Sequence, residues 1–245
     1  MITLLLIVFP LVISLYYQLK LEKEIFVSSL RAFLQLLALG FVLSFIFSLT
    51  NWLHIFAYIL FMTLVASYTA RKRGKAIPFA GITSFCSIFI SWLITVPLWV
   101  AFHVIPIETP QVLAVSGMVI GNAMTSTGLT FHLLQREFAQ TKDLIETKLA
   151  LGFTMYQASQ EWIQQTVRTI LIPNIDTLKT VGLVQMPGMM TGMILAGSSP
   201  YQAVRFQIVI MFSITAVVVI SGIIVSVASY RFYFDKKVRL KRRET

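Results

Sequence analysis

The sequence predicts an all-α polytopic membrane protein, on three observations. Hydrophobic residues make up 57% of the chain and charged residues 12%, a balance unlike that of a soluble globular domain. The apolar residues gather into long runs, most near or above the roughly 20 residues that carry a helix across about 30 Å of hydrocarbon. Cations are segregated too: 18 of the 20 Lys and Arg residues fall on alternate connections between those runs, the asymmetry expected of cytoplasmic loops.

Seven spans are expected in order: Ile2–Leu19, Ala32–Leu49, Trp52–Ala70, Phe79–Phe102, Val112–Leu134, Val181–Ala196 and Tyr201–Tyr230. The sixth is short, and the seventh is long enough to tilt or protrude. Lys20 and Lys23 follow the first span, and Arg71, Lys72, Arg73 and Lys75 the third. Arg136, Lys142, Lys148, Arg168 and Lys179 lie between the fifth and sixth, and a basic tail over residues 231–245 follows the seventh. The opposite connections (Thr50–Asn51, His103–Pro110 with Glu108, and Ser198–Pro200) hold no Lys or Arg, although Arg205 lies just beyond the last. The N-terminus is therefore expected outside and the C-terminus in the cytoplasm. A removable secretory signal is not expected, since no basic run precedes the first apolar stretch and no small-residue cleavage site follows it. Residues 1–245 read as a single membrane domain.

Residues 135–180 form the one sizeable polar stretch, expected as a cytoplasmic amphipathic helix pair. Phe138, Leu144, Ile145, Leu149, Met155, Trp162, Ile163 and Val167 supply an interrupted apolar stripe at helical spacing. Gly152 ends the first helix and a turn precedes Thr154. Pro173 ends the second, with Asn174 and Asp176 as polar caps for the next segment. The stretch carries both signs of charge, which favours docking on a soluble partner over lying in the headgroup layer.

Several functions are excluded by what the sequence lacks. No GxxxxGK[ST] phosphate loop occurs, and Arg73–Lys75 lacks both the upstream glycine and the Ser/Thr. Any ATP-driven role needs a separate ATPase subunit, so no cofactor is expected on this chain. None of the ten acidic residues falls mid-span, which disfavours proton- or sodium-coupled transport. His54, His103 and His132 are scattered near span ends, and HExxH, GxSxG and CxxC are absent; an enzyme is not expected and no metal site is assigned. The basic tail reads as an anchor to anionic lipid rather than a nucleic-acid arm. Cys86 stands alone within the fourth span and forms no internal disulfide.

Among the polar residues inside the spans, Gln35, Asn122, Thr125, Thr127, Gln185, Thr191 and Gln207 stand out. Each needs a partner within the bundle or a wet path, because lipid supplies none. Gly117/Gly121 and Gly188/Gly192 are GxxxG pairs, which either pack two helices closely or act as a hinge. Met118, Met124, Met186, Met189, Met190 and Met193 cluster around them. Thioethers suit Cu(I), but gap-filling is the commoner use of such a cluster.

The blocks GMVIGNAMTSTGLT (Gly117–Thr130), ETKLALGFTMYQA (Glu146–Ala158) and RTILIPNIDTLKTVGLVQMPGMMTGMILAGSSPYQAVRFQIVIMF (Arg168–Phe212) resemble the bacterial FetB/YbbM-type permease family over essentially the whole chain. The resemblance implies the membrane half of an ABC-type exporter of the bacterial inner membrane, associated with iron efflux and oxidative-stress resistance and having plant relatives linked to aluminium tolerance. It further implies a homodimer working with two copies of an ATPase subunit. On that footing Lys142, Glu146, Gly152, Arg168 and Pro173 are expected to couple to the ATPase, Glu146 and Gly152 being similar in spacing to the coupling loop of ABC importers. Asn122, Thr125, Gln185, Met189 and Thr191 are expected along the substrate path, the Gly188–Gly192 segment shifting against Gly117–Asn122. An uncoupled channel and a structural scaffold are the alternatives.

Overall fold

A computed structural model describes residues 6–47, 52–75, 77–102 and 108–235. Among them lie nine α-helices: α1 (Val8–Tyr16), α2 (Glu22–Phe47), α3 (Trp52–Arg71), α4 (Ala80–Ala101), α5 (Thr109–Gln140), α6 (Lys142–Ala150), α7 (Met155–Thr180), α8 (Gly188–Leu195) and α9 (Pro200–Ser229). The only β pairing among these residues is an isolated bridge between Val181 and Gln185. Five helices, α2, α3, α4, α5 and α9, are long and apolar enough to cross a bilayer. The Thr50–Asn51 connection, residues 103–107 and the tail from residue 236 onward fall outside the described residues.

The chain divides into two compact units, Met1–Ile55 and Phe56–Thr245. In the first, α1 and α2 form a hairpin whose turn places Gln18 and Lys20 at φ of 52° and 58°. Ser14 locks it, its hydroxyl donating to Glu22 Oε1 at 2.8 Å and accepting the Leu21 N–H at 3.2 Å. The first expected span is thus only partly matched. Its described portion forms nine helical residues, about 14 Å long and too short to cross alone; residues 1–5 lie outside the described set. The second helix starts at Glu22, well before Ala32, and its first turn carries Glu22 and Glu24, where the helix dipole favours negative charge.

The second unit is centred on α4, α5 and α9, and its seam is made of small polar side chains. Ser87 sits 3.1 Å from Thr127 Oγ1 and donates to the Ser221 carbonyl at 3.2 Å. Ser126 donates to the Val218 carbonyl at 3.1 Å, and Trp92 Nε1 to Ser116 Oγ at 2.9 Å. Small residues let helices approach closely, and cross-helix hydrogen bonds hold them where lipid-like surroundings weaken the hydrophobic drive. The close approaches themselves fall at Gly74, where an added Cβ would stand 2.9 Å from the Phe131 ring, and at Gly222, where it would collide with Ile170 Cδ1.

At one end of this unit the chain gathers its aromatic and cationic residues. Phe131, Leu134, Phe138, Ile145, Ile163, Tyr230, Tyr233 and Phe234 form one cluster there, with Phe138 and Tyr233 stacked at 4.3 Å. The Arg71–Lys75 stretch, α6 and the start of α7 surround it. We call this the basic end.

Three sequence expectations are corrected here. Helix α5 does not stop at Leu134 but continues unbroken to Gln140, because Phe131, Leu134 and Phe138 keep one face in the cluster. Pro173 does not end the second amphipathic helix but lies inside α7, which runs on to Thr180. The sixth span, Val181–Ala196, is not one helix: residues 181–187 form a turn and only Gly188–Leu195 is helical.

The physical reason is the path of α7. Tyr156 meets Tyr230 edge-on at 5.8 Å, Ile170 packs on Gly222, and Asn174 and Thr177 face Gln207, Met211 and Thr215 across one cavity. Helix α7 therefore runs antiparallel to α9 from the basic end. Tyr156 to Thr177 covers about 32 Å at helical rise, the thickness of a bilayer core. Its inward stripe (Ala158, Ser159, Ile163, Thr166, Ile170) is buried, whereas Gln164, Gln165, Arg168, Ile172 and Asp176 point outward. Lys179 accordingly leaves the set of cations at the basic end.

Candidate functional site

Where α7 ends, the chain builds a cavity. Thr180 O accepts backbone N–H groups from Leu183, Val184 and Gln185, and the Gly182 N–H returns to Gln185 O at 2.9 Å. Gly182 takes φ of +80°, a conformation that costs glycine no steric penalty. Pro187, with no N–H to lose, precedes α8. The turn and the neighbouring faces of α5, α7 and α9 enclose about 490 Å³, lined by Asn122, Asn174, Thr177, Gln185, Met186, Pro187, Gln207, Met211, Ile214 and Thr215.

Three of the lining side chains donate to their own helices. Thr177 donates its hydroxyl to Pro173 O at 2.8 Å, and Thr215 to Met211 O at 3.0 Å. Asn122 donates Nδ2–H to Met118 O at 2.8 Å, which fixes the amide orientation, since a carbonyl can only accept. The two threonines are left with oxygen lone pairs, and Asn122 with its Oδ1 and a second N–H. Gln207 is 8% exposed, and its Oε1 is buried with no hydrogen-bond partner among the described residues. Its lining position and unpaired oxygen distinguish it from the other polar residues of the spans.

Of the expected path residues, the structure brings Asn122 and Gln185 together here. Thr125 lies on the outer face of α5, donating to Gly121 O. Met189 and Thr191 lie on α8 outside the lining, Thr191 donating to Pro187 O at 3.2 Å. Met186 alone of the methionine cluster lines the cavity, joined by Met211. Asn174, Thr177 and Thr215 were missed, because the first two were assigned to a cytoplasmic segment. Among the described residues no group of three or more His, Cys, Asp or Glu converges on a metal position.

The glycine pairs do not pack helices within one copy. Nothing stands within 4 Å of a Cβ placed at Gly121, Gly188 or Gly192, and Gly117 meets only Met62 Cε at 3.4 Å. Helix α8 does not bear on α5 through these residues.

The expected coupling residues separate into two groups. Lys142 and Glu146 pair at 3.7 Å on α6, and Lys148 joins α6 to α7 through Glu161 at 2.9 Å. Gly152, at φ of +90°, closes α6 before the Thr154–Gln157 capping box starts α7. Ile145 is fully buried in the aromatic cluster, while Leu144, Leu151 and Phe153 are exposed at 56%, 73% and 47%. Arg168 and Pro173 lie further along α7, nearer the cavity, so one continuous helix links the basic end to it.

Comparison with known proteins sets these features in a family. Residues 1–234 match the model described as "Uncharacterised protein family (UPF0014)". The chain is 37% identical to the "Probable iron export permease protein FetB" of Escherichia coli, over 97% of this chain and 92% of that protein. It is 39% identical to the "Protein ALUMINUM SENSITIVE 3" of Arabidopsis thaliana, over 94% and 84%. It is 36% identical to the "UPF0014 membrane protein YjkA" of Bacillus subtilis, over 99% and 97%. No solved structure matches. The chain is a membrane protein and belongs to the UPF0014 family.

Proposed function

We propose that this chain is the permease subunit of an ABC-type exporter of the cytoplasmic membrane, moving metal ions outward on the power of a separate ATPase. The observation that carries the reading is the interrupted α7–α8 crossing, with its cavity at the break. Irregular backbone and polar groups gathered between packed helices are found where a transported cargo binds and the site is shielded or wet. The name of the Escherichia coli relative supports iron as cargo.

In this reading the basic end faces the cytoplasm, and α6 with the Leu151–Phe153 turn docks on the ATPase. ATP-driven closure pushes on α6. The Lys148–Glu161 pair and the shared aromatic cluster pass the movement to α7, and α7 carries it to the cavity. A second copy completes the complex. The outward stripe of α7 at membrane depth includes Arg168 and Asp176, which hydrocarbon does not solvate; apposing two copies there covers it or encloses it in water.

The reading is tested by purifying the chain with its ATPase and measuring ATP-dependent divalent transport in proteoliposomes. Leu151→Asp with Phe153→Asp is expected to abolish complex formation and stimulated ATP hydrolysis without unfolding the permease. Transport in the absence of any ATPase would establish an uncoupled channel instead.

A further inference from the structure

Resting on the permease reading, we propose that the cavity between α5, α7 and α9 holds its cargo as a partly hydrated divalent cation, on neutral oxygen donors with Gln207 as the decisive one. The electrostatic character of the lining comes from its hydrogen bonds. Thr177 and Thr215 spend their only hydroxyl proton within their own helices, at 2.8 and 3.0 Å, so what they offer inward is lone pairs, and Asn122, with one N–H spent on Met118 O at 2.8 Å, adds its Oδ1. Such a surface attracts a cation or the oxygen of its hydration water. No Lys or Arg belongs to the lining to balance the charge of an anion.

Gln207 points to a ligand independently. Gln207 is 8% exposed, and a buried amide oxygen without a hydrogen-bond partner is uncommon in a folded protein. A cation, or a water bound to one, would satisfy it.

Size and charge narrow the class. Six waters occupy about 180 Å³ at the volume water takes in the liquid, so a hydrated ion fits within the ≈ 490 Å³ cavity. With no carboxylate in the lining, the ion keeps part of its hydration and binds weakly, as a site that must release its cargo requires. Thioethers of Met186 and Met211 on the same wall tilt preference toward first-row transition metals over Mg²⁺ and Ca²⁺.

The test uses the full chain in nanodiscs with Mn²⁺ as the probe, followed by electron paramagnetic resonance, with parallel transport assays in the ATPase complex. Gln207→Leu is expected to weaken Mn²⁺ binding at least tenfold. Gln207→Glu adds a charge and is expected to tighten binding at least tenfold while slowing transport. Thr215→Val, close in shape to threonine, is expected to weaken binding several-fold and serves as a second variant should Gln207→Leu fail to fold. Wild-type affinity in both Gln207→Leu and Thr215→Val would overturn the site. So would binding of phosphate rather than Mn²⁺. If ATP-driven Mn²⁺ transport persists in those variants, the site falls and the permease reading stands. If the wild-type complex binds and transports no divalent cation, both fall.

Discussion

Substituting Gly222 by alanine tests the placement of α7 directly. A Cβ at residue 222 collides with Ile170 Cδ1, while the next neighbours, Ile170 Cγ1 and Thr130 Oγ1, both stand at 3.7 Å in ordinary contact. Ile170 is 3% exposed, so the clash cannot be relieved into solvent. Overpacking of this kind costs about 1–3 kcal/mol, and the gain in helix propensity from Gly to Ala returns at most about 1 kcal/mol. Gly222→Ala should therefore destabilise by roughly 0–2 kcal/mol. Ile170→Val removes the colliding methyl at a cost of about 0.5–1.5 kcal/mol. In that background Gly222→Ala should become neutral or stabilising by up to about 1 kcal/mol, a coupling of about 1–3 kcal/mol between the sites. Reversible unfolding in mixed micelles, followed by tryptophan fluorescence, measures all four proteins. Equal effects of Gly222→Ala in the two backgrounds would mean that α7 does not lie along α9, and the cavity would go with it.

Four further outcomes are expected. Gly152→Val forces a β-branched residue to φ of +90° and should cost at least about 1 kcal/mol, reducing assembly with the ATPase; Thr154→Ala, losing the capping box, should cost about 1 kcal/mol in the same unfolding assay. Ser116→Ala leaves the buried Trp92 indole N–H unpaired and should destabilise by about 1–3 kcal/mol, read as a lowered midpoint in thermal melts. In a Cys86→Ser background, Gln165→Cys on the outward stripe of α7 should cross-link to its twin in membranes under mild oxidation, whereas Cys placed at buried Ile163 should not; the reverse pattern would refute apposition of two copies on that stripe.

Much of the fold was legible because the responsible physics is local. Helices α3, α4 and α9 follow from runs of apolar residues long enough to cross, and the turn at Gly152–Thr154 follows from a glycine and an adjacent capping box. Asn122 and Gln185 could be singled out because an amide in an apolar run demands a partner. Asn174 and Thr177 could not, since they sit in a stretch whose mixed charge averages to that of a soluble helix. The one signal available was the inward stripe of small side chains, Ala158, Ser159 and Thr166, at helical spacing.

Residue order alone is enough for a helical membrane protein and for the places of its long apolar helices. Those properties are sums over neighbouring residues, and hydrocarbon judges each segment by its sum. Tertiary structure alone decided that α7 enters the bundle and that α8 comes after it as a separate piece. A helix shielded by α5 and α9 need be apolar or small only on its inward face, so its average hydropathy misleads. The fit of Ile170 on Gly222 joins residues far apart in the chain, and no local window contains both.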